Sequence, residues 1–342
     1  MIQTLNGRIP DASPEQVFPV FAQLAEALEI ACVEEEGSFS MKLAGGELRL
    51  SPARDALALS LSAESERRLY LLQQMVLNRL DALDPAPKAE WERVDAGALP
   101  PNLSIALVES STLISPNFRR LRLRFPDVAR YAEDGLHFRL VISALPPDQA
   151  EGGSVREWPR IGENGRTRWP EGDLALHRPV YTIREIDAAA GWMDVDVFLH
   201  EGGRVSAWTE RVASGDRIGL MGPTTRGAIA AGWVGFWGDE TALPAIARHC
   251  AALHPGTRGV IRISLGDMAD RQDFARPEGM ELVWTPRRER GLLEDLQATA
   301  LPADDRFVFF AAGGEEADAA RTWLRGGQGF DKTESNVTGY WR

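Results

Sequence analysis

Cysteine is nearly missing from this chain: Cys32 and Cys250 are the only two in 342 residues. They lie far apart and in no CxxC or Cys/His spacing, so neither a disulfide framework nor a thiolate-held cluster is supported. His249 beside Cys250 resembles a metal pair, but adjacent residues on a helix point in different directions, and no metal ligands are assigned. A metal handled by this protein would arrive inside a ligand that it binds. Long apolar runs are also missing, and no window approaches the roughly 20 residues needed to span a bilayer. The first residues, M-I-Q-T-L-N-G-R-I-P, lack the basic start and apolar run of a signal peptide. Together these absences predict a cytoplasmic chain with no membrane insertion. There is no basic excess: 38 Lys and Arg against 50 Asp and Glu give a net charge of −12, which argues against nucleic acid as a partner. Neither a P-loop nor a G-x-G-x-x-G fingerprint is present.

What is present is enough chain for two or three cores. The acidic excess is concentrated in residues 1–100, where 9 basic residues face 16 acidic ones. Within that acidic balance, Arg119, Arg120, Arg122 and Arg124 form one local cluster, and Arg287, Arg288 and Arg290 another. Each is either an anion site or a solvated edge.

Residues 1–100 read as a small α+β unit. Apolar spacing gives a helix over 14–30 with Pro19 inside it. Strands are expected at Ser38–Leu43, Glu47–Ser51 and Ala56–Ser62, with Gly45-Gly46 as a hairpin turn. An amphipathic helix spans Ser65–Leu83, and Asp84–Lys88 reads as a linker. Nothing here carries chemistry, so the unit is assigned an accessory role.

Residues 103–223 read as an antiparallel β domain, a small barrel, with strands at Arg119–Phe125, His137–Ile142, Val180–Ile186, Trp192–Phe198 and Arg217–Gly222. The connection 146–177 is unusually long, and long loops inside compact domains are usually functional or disordered. It is expected to border the site. From 231 to 342 strands alternate with helices: Trp233–Trp237, Gly259–Leu265, Glu281–Thr285, Arg306–Ala312 and Val337–Trp341. Such alternation implies a parallel sheet with ligands at its carboxyl ends.

The chemistry concentrates in His177–Arg184, H-R-P-V-Y-T-I-R. Arg178, Tyr181 and Thr182 offer a cation for a phosphate, a ring to cover an isoalloxazine face and a hydroxyl for flavin N5. An ordinary strand carries the same residues. H-E-G-G-R-V-S-A-W follows, where Gly203 and Ser206 frame a turn that lets backbone approach a pyrophosphate. In G-D-E-T-A-L-P-A, Gly238 ends an apolar strand and Thr241 is placed to cap a helix whose N-terminus attracts phosphate. A-A-G-G-E-E, residues 311–316, repeats the device, and the chain ends G-Y-W-R.

On R-P-V-Y-T-I-R, H-E-G-G-R-V-S-A-W, G-D-E-T-A-L-P-A and G-Y-W-R, the chain resembles the siderophore-interacting proteins, flavin-dependent ferric-siderophore reductases. The resemblance covers roughly 103–342, and residues 1–100 look similar to a small domain sometimes fused to them. It implies a multi-domain, ferredoxin-reductase-like architecture: an N-terminal α+β domain, a β-barrel FAD-binding domain and an α/β NAD(P)H-binding domain. It further implies FAD held by Tyr181, Thr182, Gly203, Ser206, Arg178 and His200, with Thr182 as the catalytic hydroxyl. NADPH or NADH would bind near Gly238, Asp239, Glu240, Thr241, Gly313 and Gly314. A ferric siderophore is the expected substrate, with Arg139, Arg166 and Arg168 as candidate contacts. Two departures stand out. Two residues rather than one separate Arg178 from Tyr181, which reverses the side Arg178 points to unless a bulge intervenes, and Arg184 is the alternative. Arg204 also stands in G-R-V-S where G-P-A-S is usual. Other acceptors, a ferredoxin donor, or a binding protein without turnover remain the rival readings.

Overall fold

The computed structural model describes residues 2–43, 45–132, 135–145, 152–225 and 228–341. It divides into two compact units, one of Met1–Ser104 with Arg156–Leu176, the other of Ile105–Val155 with His177–Arg342. The long connection expected inside the barrel therefore contributes most of its described length to the first unit. Arg342, the last residue of G-Y-W-R, lies outside the described residues, as do residues 146–151 of that connection.

The first unit is built on a six-stranded antiparallel sheet in the order Cys32–Glu35, Ser38–Leu43, Gly46–Ala53, Ala56–Ala63, Gln3–Pro10, Glu90–Trp91. Strict alternation in A-L-A-L-S-L-S-A turns Leu57, Leu59, Leu61 and Ala63 inward. They pack against Val17, Phe18, Phe21 and Leu24 of helix Pro14–Leu28 and Leu69, Leu72, Val76 and Leu80 of helix Glu66–Leu80. The first helix runs through Pro19 without ending there. The strand Gln3–Pro10 is absent from the pattern reading, because Gly7 interrupts its alternation. That glycine is required: a Cβ at Gly7 would sit 2.7 Å from the Glu90 carbonyl oxygen of the neighbouring strand.

In the second unit a β sheet carries the strands Leu176–His177, Gly135–Ser143, Arg217–Thr225, Leu103–Ser115, Phe118–Arg124, Trp192–Phe198 and Glu185–Asp187 in that order. Val180–Thr182 pairs with Gly135–Ser143 at one end, and the chain runs from it into Glu185–Asp187 at the other, which curls the sheet into a barrel. Its interior is filled by Leu121, Leu123, Phe138, Leu140, Val195 and Val197 among others. The 13-residue strand Leu103–Ser115 escapes the pattern reading because its pairing slips between Val108 and Ser110, breaking the alternation that marks a strand.

The remainder is a five-stranded parallel sheet, ordered Met280–Pro286, Arg258–Leu265, Trp233–Gly238, Arg306–Gly313, Ser335–Trp341. Helices Leu243–Ala252, Leu292–Ala298 and Gly314–Thr322 flank it. Barrel and sheet share a core, since Phe118 and Leu136 pack with Phe236, Ile246 and Phe309. Fully buried Asp270 adds a polar bolt, accepting from Ser115 Oγ (2.6 Å), Asn117 N (2.9 Å) and Asn117 Nδ2 (2.8 Å) at the tip of a barrel hairpin. Among the described residues no helix is long and apolar enough to cross a membrane.

Candidate flavin and nicotinamide site

A cleft of about 480 Å³ opens between barrel and parallel sheet, lined by Tyr181, Thr182, Phe198 and His200 from the barrel and by Thr241, Tyr340 and Trp341 from the sheet, among others. The strand Val180–Thr182 supplies one wall, with Val180 and Thr182 on one face of it, Val180 exposed at the strand's start and Thr182 buried at its end. In register, Thr182 faces His137 and Tyr181 faces Phe138. Thr182 Oγ1 shares a hydrogen bond with His137 Nδ1 at 3.1 Å, and His137 Nε2 shares another with the Tyr340 hydroxyl at 3.3 Å. Thr182 and His137 are buried, whereas Tyr340 is half-buried. A hydroxyl, an imidazole and a phenol thus form a chain along the cleft wall. Burial pushes the Tyr181 phenol up, so it stays a neutral ring at any working pH. Cys250, by contrast, is a buried thiol pushed up to about 12 by burial and plays no part in the cleft.

Phe198 closes the strand Trp192–Phe198, so His200 lies in the turn beyond it and not on the strand. The turn at Gly203 proves to be a helix start: residues Arg204–Thr209 are helical, with Gly203 as the residue before the first turn. Ser206 Oγ accepts from His200 N at 3.1 Å. A Cβ at Gly203 would meet Ser206 Oγ at 2.6 Å and the His200 ring at 2.8 Å, so glycine alone lets this turn close.

Arg178 is exposed and does not line the cleft; its carbonyl oxygen accepts from Arg139 Nη1 at 3.1 Å. Burial and the neighbouring Arg139 charge lower the Arg178 pKa, while burial and Arg204 lower that of His177. Arg139, Arg178 and Arg204 therefore concentrate positive charge beside the flavin-type strand. Arg184 is not an alternative to Arg178, because it is buried in an ion pair with Asp196 at 3.2 Å.

The arginine cluster at 119–124 is likewise spoken for. Arg120 is bidentate to Asp196 (2.6 and 2.8 Å) and Arg122 to Asp194 (2.8 and 2.7 Å), because the register sets each pair directly opposite across adjacent strands. Arg124 pairs with Glu109, and Arg119 donates to the Ser111 carbonyl. These are cross-strand fasteners, not an anion site. Arg166 and Arg168 fall in the first unit. Arg166 is engaged there by Asp81 (2.7 Å) and the Leu77 carbonyl (2.6 Å), and Arg168 is an exposed residue of the short hairpin strand Thr167–Arg168.

In the parallel sheet, Gly238 ends its strand where a Cβ would strike Ala242 Cβ at 2.6 Å and Ile246 at 2.8 Å, so glycine brings helix Leu243–Ala252 close. Thr241 does not cap that helix, which begins after Ala242 without a side-chain cap. Instead its hydroxyl donates to Asp239 Oδ1 at 2.6 Å, while Asp239 Oδ2 accepts from Trp341 Nε1 at 2.7 Å. Glu240 is buried and engaged by Arg287 and by the Gly266 N–H. Gly313 precedes helix Gly314–Thr322, and a Cβ there would touch the Trp341 ring at 3.0 Å. The terminal tryptophan therefore lies over Gly313 at the carboxyl edge of the sheet.

A flat ring system suits this cleft: Tyr181, Phe198, Tyr340 and Trp341 supply apolar walls, while Thr182 and Thr241 supply hydroxyls. Residues 107–227 match the siderophore-interacting FAD-binding domain, and residues 231–342 match the siderophore-interacting protein domain. The chain belongs to the siderophore-interacting protein family. It is 27% identical over 243 residues to the ferric vibriobactin reductase ViuB of Vibrio cholerae, covering 67% of this chain and 85% of that one. It is 25% identical over 195 residues to the NADPH-dependent ferric-chelate reductase of Escherichia coli, covering 54% and 72%. The solved structure of a siderophore utilization protein from T. fusca superimposes with a TM-score of 0.60 at 26% identity, covering 70% of this chain and 92% of that one. Barrel and parallel sheet together have the ferredoxin-reductase-like fold. Tyr340 is marked in the sequence only as part of G-Y-W-R, which assigns it no role, and nothing in its neighbours marks His137, which only the cross-strand register joins to Thr182.

Proposed function

We propose that the protein passes electrons from NAD(P)H through FAD to a ferric siderophore and so releases Fe(II). The observation that carries this reading is the cleft itself, where Tyr181 and Thr182 of the barrel face Thr241, Tyr340 and Trp341 of the sheet. The ferric reductases among its relatives support the same chemistry. In this reading residues 103–223 bind FAD, residues 231–342 bind the nicotinamide, and residues 1–100 form the accessory part. A cytoplasmic setting, where NAD(P)H is plentiful, suits it.

Bound FAD supplies the exchange between a two-electron hydride donor and one-electron Fe(III). The chain supplies position and proton handling. Tyr181 covers one ring face. Thr182 would offer its hydroxyl to the flavin, and His137 lets that hydroxyl either donate or accept, because the imidazole can bond Thr182 in either tautomer. Thr182, His137 and Tyr340 would in this way hold or relay a proton between the Thr182 hydroxyl and the Tyr340 phenol. Gly203 and Ser206, with Arg178, Arg139 and Arg204 nearby, would hold the pyrophosphate and attract an anionic iron chelate. Gly238–Thr241 and Gly313–Gly314 would hold the nicotinamide at the carboxyl edge of the sheet.

The deciding experiment is anaerobic. NADPH or NADH should bleach the flavin absorbance of the purified protein, and adding a ferric siderophore should restore it with Fe(II) trapped by a ferrous chelator. Absence of flavin absorbance after FAD addition would end the proposal, and bleaching by neither nucleotide would move the donor to a protein carrier.

A further inference from the structure

Among the described residues, Asp196 and Glu240 are the carboxylates that line the cleft, and both are covered by guanidinium groups. Glu240 is met by Arg287 and the Gly266 N–H. Asp196 has two arginines to itself. Arg120 takes both of its oxygens, at 2.6 and 2.8 Å, and Arg184 Nε stands 3.2 Å from Oδ2. The Asp196 side chain is 1% exposed and that of Arg184 12%, so water screens little of either charge.

Asp194, two positions earlier on the same face of the strand, is equally buried but does not line the cleft. Arg122 alone satisfies it, at 2.8 and 2.7 Å. One arginine per aspartate is therefore what fastening these strands requires, and Arg184 is the extra one. It meets Asp196 as a charge rather than as an aligned hydrogen bond. Burial lowers its pKa more than Asp196 raises it, as befits a cation whose partner is already neutralised. Glu185, another acid near it, is exposed, where water and salt weaken its pull.

FAD takes up more electrons than protons when reduced near neutral pH, so negative charge builds on it. A bare carboxylate in the cleft wall would oppose that change, whereas a carboxylate carrying two guanidinium groups favours it. We propose that Arg184 sets the redox poise of the bound FAD: by overcompensating Asp196 it favours reduced over oxidised cofactor and raises the midpoint potential. This inference rests on the FAD reading above. Arg184 acts through Asp196 and is a positioning residue rather than a catalytic one.

The test is the midpoint potential of the FAD-loaded full chain, equilibrated with a reference dye, beside a titration with oxidised FAD. Arg184→Met should weaken the hold on reduced relative to oxidised FAD about tenfold, the order of one unit charge felt through protein. For a two-electron couple that lowers the midpoint by about 30 mV. Arg184→Lys keeps the charge and should recover most of it. Asp196→Asn removes the negative charge, leaves Arg120 an acceptor, and should move the midpoint upward by a similar amount. Glu185→Gln should leave it in place. Midpoints unmoved by Arg184→Met and Asp196→Asn would overturn the inference. So would shifts of both in the same direction, which loosened packing would give, or a Glu185→Gln shift as large as theirs. A parent chain that binds no FAD would end the functional reading and this inference with it, while an unmoved midpoint in a chain that binds FAD ends this inference alone.

Discussion

If Thr182 serves the flavin as proposed, in both redox states, something else must absorb the reversal of its hydrogen bond. His137 is the group in contact that can do so. Replacing Thr182 with valine keeps the shape and removes the hydroxyl, so flavin reduction by the nicotinamide should slow by about 10²-fold, in the range of lost proton-transfer assistance, and Thr182→Ser should restore most of it. Stopped-flow absorbance gives both numbers. Equal rates for the valine variant and the parent would remove Thr182 from the chemistry. His177 titrates differently. Burial and Arg204 lower its folded-state pKa below the usual 6.5, so the unfolded chain binds more protons just below pH 6.5 and stability must fall as pH drops through that window. His177→Gln should flatten that part of the stability–pH curve, as followed by thermal unfolding between pH 7 and 5. At this scale the sequence tells residue types but not partners. Four clustered arginines leave an anion site and a solvated edge both open in the sequence, because the aspartates that neutralise two of them lie more than 70 positions away.

Those aspartates belong to the element scale, where two strands are fastened side by side. Asp196 takes both Arg120 and Arg184, and its own side chain is 1% exposed. Truncating it to alanine leaves two shielded guanidinium groups with one missing anion. The expected loss is about 3–5 kcal/mol of stability, visible as a shifted denaturant midpoint with an unchanged slope. Replacing the exposed Glu109 partner of Arg124 should cost under about 1 kcal/mol. Elements themselves are legible where alternation is strict and the ladder regular: Ser38–Leu43, Trp192–Phe198 and helix Leu292–Ala298 lie where the pattern puts them. They are illegible where a local irregularity interrupts the period, as at Gly7 and at the slip in Leu103–Ser115. Such irregularities exist to meet a neighbour, and a neighbour distant in sequence leaves no trace in a short window.

At the scale of the whole molecule, electron flow depends on holding two ligand sites in one geometry, and the barrel and parallel sheet are joined by a shared core, by the His137–Tyr340 and Arg248–Gly135 hydrogen bonds and by the buried carboxylate of Asp270. Asp270 accepts three hydrogen bonds from the Ser115–Asn117 hairpin tip and has no exposed surface. None of its partners lines the cleft, so its loss should act through orientation. Asp270→Ala strands three donors and should cost about 1–3 kcal/mol, felt where barrel meets sheet. FAD affinity, set by the barrel wall, should hold within about twofold. Hydride transfer, which needs donor and acceptor in near-contact, should fall by about tenfold or more, since small misplacements are expensive there. Single-turnover flavin bleaching at saturating NADPH, beside an FAD titration, separates the two. If FAD affinity and bleaching decline together, Asp270 maintains the barrel itself; if neither moves, the shared core of Phe118, Leu136, Phe236 and Phe309 and the remaining hydrogen bonds fix the orientation without it.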